Sequence, residues 1–199
     1  METPKDWKDI TVAQYYNLLE AIEMDFDDDL DKSVAMLSAL TNISIKDLEE
    51  KIPIRELTRG LKEIAFIGKG KPEVNLTPRI KLNGKKYEFD MILRDSVAGS
   101  FIDLAELAKE PKRNMHKVLA IFLHELDWKG SRKPKTIKDQ IQMANIIEQN
   151  LTMDLAFGYS DFFLNSWERL QQGTLDYLEK QKKKSQKILK RELMELHNS

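Results

Sequence analysis

Ile80-Lys81-Leu82-Asn83-Gly84-Lys85-Lys86-Tyr87-Glu88-Phe89 is the clearest strand signal in a sequence whose other periodic stretches are helical. Apolar and polar residues alternate around its centre with a period of two, so one face can be buried while the other meets water. The Asn83-Gly84 pair supplies the positive φ angles of a two-residue hairpin turn, which sets Ile80 opposite Tyr87. The fold expected around it is mainly α: a helical domain over residues 1–151 with one small β-hairpin near 78–90, then a long C-terminal helical arm over 152–199.

Upstream, Thr11-Val12-Ala13-Gln14 has the spacing of a capping box, followed by apolar residues at Tyr15, Tyr16, Leu18, Leu19 and Ile22. This predicts a helix ending near Met24. The acidic stretch 25–31 leads into a second helix from Lys32 to Leu40, Ser44-Ile45-Lys46-Asp47 starts a third, and Pro53 opens a fourth through Leu57, Leu61 and Ile64. The first third thus reads as a four-helix unit, closed by Gly68-Lys69-Gly70-Lys71-Pro72, whose composition predicts a flexible linker.

Beyond the hairpin the helical period returns from Ser96 through Leu107, and again from Asn114 through Leu126, with Pro111 between. A basic loop spans 129–135. Thr136-Ile137-Lys138-Asp139 then starts a helix carrying Ile137, Ile141, Ala144, Ile147 and Leu151. From Thr152 no proline interrupts the chain, which predicts one helix to the end. Its stripe of Leu175, Leu178, Leu189, Leu193 and Leu196 is broken by Lys182 and Ser185, so a sustained coiled-coil seam is only weakly signalled.

With 199 residues and 41% hydrophobic content the chain can bury a sizeable core. Its 32 basic and 33 acidic residues nearly cancel, so bulk attraction to nucleic acid or membrane is not expected. No cysteine is present, which excludes disulfides and thiolate chemistry. No stretch has the roughly 18 apolar residues of a membrane span, and the opening lacks an export signal. The chain is therefore expected to be neither exported nor membrane-spanning.

Motifs that would carry chemistry fall short. Asp25, Asp27, Asp29 and Asp31 alternate like calcium ligands, but the glycine and glutamate places of an EF-hand hold Leu30 and Met36. Pro72 stands where a phosphate-binding loop would start its helix. His116 and His124 lie two turns apart, and the position four after His124 is Trp128, not a second zinc-binding histidine. They read as partly exposed helix residues. No nucleophile elbow, Rossmann glycine pattern or kinase signature occurs, so no enzyme activity, cofactor or metal is expected.

The candidate site residues are instead those of an interaction surface. Phe157, Phe162, Phe163 and Trp167 crowd the start of the last helix around nearly its whole circumference, and a helix apolar all round must be covered on several sides, by its own core in the first instance or by a neighbouring subunit. Lys180, Lys182, Lys183, Lys184 and Lys187 form the strongest charge feature, suited to an acidic protein surface or to the negative end of the helix. Together they predict contacts with neighbouring subunits.

The order of elements, with the strings Ile10-Thr11-Val12-Ala13-Gln14-Tyr15-Tyr16, Lys32-Ser33-Val34-Ala35-Met36-Leu37-Ser38-Ala39-Leu40-Thr41, the hairpin, Ser100-Phe101-Ile102-Asp103-Leu104 and Asn114-Met115-His116-Lys117-Val118-Leu119-Ala120-Ile121-Phe122, resembles a family of tailed-bacteriophage virion and morphogenesis proteins met in crAss-like phages. The likeness covers most of residues 7–170 and leaves out the lysine-rich end. It implies a non-enzymatic oligomeric component of the neck or tail, of the head–tail joining ring type, whose partners are other phage structural proteins and copies of itself. Two alternatives are a tail assembly chaperone and a nucleic-acid-binding regulator that uses the basic helix.

Overall fold

Four helices of the chain, those after Thr11, Asp28, Ser44 and Thr136, start where a side chain satisfies amides that the first turn leaves without partners. In the computed structural model, Thr11 Oγ1 accepts from Gln14 N at 3.3 Å and Gln14 Oε1 accepts from Thr11 N at 2.9 Å, opening α1 over Val12–Glu23. Asp28 accepts from Leu30 N and Asp31 N at 2.7 and 2.8 Å, so α2 over Asp29–Thr41 begins inside the acidic stretch. Ser44 caps α3 over Ile45–Lys51, and Pro53 precedes α4 over Ile54–Glu63. Short 3₁₀ turns over Trp7–Asp9 and Ile64–Lys69 flank this four-helix unit.

The structure describes residues 1–93 and 98–197, without the side chains of 98, 101 and 184–197. The helix start expected at Ser96 lies outside the described residues. Helix α5 covers Ala98–Leu107, α6 Met115–Phe122, α7 Ile137–Asn150 and α8 Met153–His197. With β1 over Arg79–Leu82, β2 over Lys85–Phe89 and β3 over Leu123–Glu125, the fold is mainly α with a small antiparallel sheet and a long C-terminal helix.

The hairpin has the expected register, Ile80 opposite Tyr87, and Asn83 and Gly84 turn it at φ 45° and 78°. The third strand corrects the sequence reading, which runs the preceding helix through Leu126. Leu123, His124 and Glu125 instead pair with Phe89, Glu88 and Tyr87. Two features end α6 at Phe122. Phe122 O accepts from Asp90 N at 2.8 Å, and the Lys135 ammonium donates to the carbonyls of Ala120, Ile121 and Leu123. A cation set on the last carbonyls of a helix is favourable, and β2 offers an edge that needs a partner. His124 is therefore a strand residue, where the sequence predicts a helical one.

The stretch expected as a flexible linker, 68–72, is tied down. Trp7 Nε1 donates to Gly70 O at 2.9 Å, and Lys71 Nζ pairs with Asp161 Oδ1 at 2.7 Å. The chain then crosses α8 at Gly158, where a Cβ would lie 2.8 Å from Leu76 Cδ2, and the Tyr159 hydroxyl donates to Thr77 O. Close passage of one segment over another needs a residue without a side chain at the crossing.

The division expected at residue 152 is not a break in packing. Val12 N donates to Leu151 O at 3.1 Å and Met153 N to Ile10 O at 2.8 Å, lacing the starts of α1 and α8. One core runs through both parts. Phe89 stacks on Tyr159 with ring centroids 3.9 Å apart, Phe122 on Phe163 at 4.3 Å, and Trp7 meets Phe157 edge-on at 5.0 Å. Such rings bring large buried area and a preferred geometry, so α8 is the element on which the hairpin, α6 and the N-terminal turn converge.

Candidate functional site

Helix α8 divides by what its side chains touch. Met153, Ala156, Phe157, Tyr159 and Phe163 are buried, and Phe162, Leu164, Trp167 and Leu170 are half-buried against the same core. This corrects the prediction for Phe157 and Phe163: both are consumed by the chain's own interior and offer no surface to a neighbour. The helix is apolar all round here because its own domain covers it on several sides. Phe162 and Trp167 keep only part of their area free.

From residue 171 to 183 nearly every side chain is exposed. Leu175, Tyr177 and Leu178 are 56%, 59% and 55% exposed, and Lys180, Lys182 and Lys183 beyond them are exposed as well. Local support is slight: Gln172 Nε2 reaches Asp176 Oδ1 at 2.9 Å, and Lys183 Nζ lies 3.8 Å from Glu179. Side-chain pairs one turn apart contribute only a few tenths of a kcal/mol. The side chains of Lys184 and Lys187 lie outside the described residues.

The titratable groups that could carry chemistry are engaged in structure. His116 Nδ1 faces the Tyr16 hydroxyl at 2.6 Å, with Glu148 3.9 Å from Nε2, so that α1, α6 and α7 meet at one ring. Burial holds the His116 imidazole down, to about 4, with Lys117 adding to the effect, and it pushes the Tyr16 phenol up. Burial also draws His124 down to about 4 and Lys135 to about 8, although the three carbonyls around the Lys135 ammonium need its charged form to fill all three bonds. Arg132 is held by Glu88 at 2.9 Å and Asp90 at 3.5 Å, and Glu88 is kept well below the usual carboxylate range by Arg79 and Arg132. These groups fasten β2, β3 and the following loop to α6. Among the described residues, no three His, Asp or Glu side chains converge as metal ligands would.

A second open feature is a groove of about 430 Å³ walled by α5 and α7. Asp103, Glu106 and Leu107 form one wall, Ile137, Ile141 and Ala144 the other, and Ala120 of α6 lies between them. Ile137 and Ile141 are 80% and 61% exposed, whereas Met143 and Ile147 of the same helix are buried. The sequence reading took the apolar residues of α7 together, without dividing them between faces. At 100° per residue, however, Ile137 and Ile141 sit roughly 70–110° from the centre of the buried set. That arithmetic would have found them.

No family model, curated protein or solved structure matches the chain. The geometry therefore stands alone beside the likeness drawn from the sequence. No helix among the described residues is long and apolar enough to cross a membrane.

Proposed function

We propose that this chain is a non-enzymatic structural protein of a tailed bacteriophage, a subunit of an oligomeric neck or tail assembly that works through protein–protein contacts. The observation that carries this reading is the second half of α8. A helix rooted in a core continues into solvent with Leu175, Tyr177 and Leu178 uncovered and a lysine run behind them. Isolated helical segments of that length are marginal in water unless an apolar face is covered, which favours a neighbour in an assembly. The order of sequence elements points the same way. The absence of enzymatic work is supported by the commitments of His116, Arg132 and Lys135, each tied to a partner that fixes the fold.

Mass spectrometry of purified particles tests the proposal. Its expected outcome is the chain present at a fixed ratio to other tail or neck proteins. A chain abundant in infected cells and missing from particles would overturn it in favour of an assembly chaperone. Salt-dependent DNA binding by the purified protein would favour a regulator instead.

A further inference from the structure

We propose that the groove between α5 and α7 receives the exposed half of α8 from a second copy of this chain. The inference rests on the assembly reading above and names the surface through which the copies join. Among the described residues two features of one molecule are unpartnered: an apolar groove floored by a small residue, Ala120, and a helix with uncovered leucines. Helix-in-groove recognition needs both, with anchors at intervals of three or four residues on the inserted helix.

The arm has that pattern. Leu175, Leu178 and Lys182 fall within about 60° on a helix of 3.6 residues per turn, so the two leucines can enter the groove while Lys182 follows one turn behind on the same face. The groove's α5 wall carries Asp103 and Glu106. Among the described residues Glu106 is engaged by Lys109, in a surface pair one turn away that is worth little and easily exchanged. Lys117 also lines the groove, and its ammonium turns to Asn114 Oδ1 at 3.4 Å. The apolar anchors thus meet Ile137, Ile141 and Leu107, and the following cations meet the two carboxylates.

The same chain cannot fill its own groove. Helix α8 is unbroken from Met153, and its packed half lies against α1, α6 and the turn over Trp7–Asp9. Folding residues 175–182 back to α5 and α7 would require a break in that helix. The acidic stretch 25–31 is a poorer receiver, because Asp28 is spent on the cap of α2, whereas the groove sets carboxylates beside apolar side chains. An arm that enters a different surface of its neighbour makes a head-to-tail interface, which closes into a ring or continues as a filament.

The chain has no cysteine, so single cysteines report proximity cleanly. Full-length Leu178→Cys and Ile141→Cys proteins, mixed and mildly oxidised, should give the mixed disulfide well above the Leu178→Cys homodimer and above a Leu178→Cys with Asp28→Cys control. In parallel, Ile141→Asp should weaken self-association in sedimentation velocity at least tenfold, with an unchanged melting temperature because Ile141 is a surface residue. A Leu178→Cys chain that couples chiefly to itself means that arms pair with arms, and the proposal is wrong. Oligomers indifferent to Ile141→Asp also overturn it while leaving the assembly reading intact. A wild-type chain that stays monomeric at every concentration overturns both.

Discussion

Residues 153–170 and 171–183 belong to one continuous helix, yet the first half is held by what surrounds it and the second by little beyond its own backbone. Phe157, Tyr159 and Phe163 each meet a ring from another element, while Leu175 and Leu178 meet water. Helical continuity is therefore no guide to stability. Tertiary burial supplies most of a helix's free energy, and residues 171–183 have little of it.

The largest effect that can test this contrast is a pair of truncations to alanine. Phe163→Ala should cost about 3–5 kcal/mol, from lost burial and the cavity left beside Phe122 and Phe89, whereas Leu178→Ala should change monomer stability by less than about 0.5 kcal/mol. Urea unfolding of both variants at low protein concentration measures the difference, and equal losses would erase the distinction between the halves.

Acid should loosen the packed part first. Half-buried and neutral, His116 and His124 have folded pKa values of about 4 against about 6.5 in an unfolded chain. Their contribution is complete above pH 6.5 and is lost as pH falls from there towards 4. At pH 5 this amounts to roughly 2 kcal/mol for each at most, reduced for His116 because Glu148 would attract the imidazolium. Stability measured by denaturant between pH 7 and 5 should fall, with a shallower slope in His116→Gln. A flat profile would exclude this role.

Strain at the hairpin ranks next. Gly84 has φ 78°, so Gly84→Val should cost about 1–2 kcal/mol and should be felt by the packed half through the Phe89–Tyr159 stack. An unchanged melting temperature would count against the hairpin. The smallest effect is expected from ending the chain after Leu178. Thermal unfolding of the remaining part should be nearly unaltered, while oligomerisation weakens. A large drop in melting temperature would show instead that the exposed half braces the core.

Local chemistry made much of this legible. Thr11-x-x-Gln14, Ser44-x-x-Asp47 and Thr136-x-x-Asp139 announce helix starts because the cap and its partner lie within one turn. Asn83-Gly84 announces a turn because its φ angles exclude most other residues. The third strand was hidden because Leu123 continues the apolar period of α6, and what stops the helix is Lys135, brought there only by the fold. Of the expected interaction set, the lysines at 180, 182 and 183 are exposed, whereas Phe157 and Phe163 are interior, and aromatic crowding alone does not say who provides the cover.

The lacing of Ile10 and Val12 to Leu151 and Met153 has a kinetic consequence. These contacts close a loop over most of the chain, and the rings that meet on Phe157, Tyr159 and Phe163 come from segments far upstream. Contacts between residues distant in sequence slow the search for the native state, since loop entropy is lost before burial repays it. During synthesis the four N-terminal helices can form early, but their shared interior stays open until residue 163 has been made. Folding of this protein should therefore be a late, single event, and nascent chains stopped before α8 should remain sensitive to protease throughout.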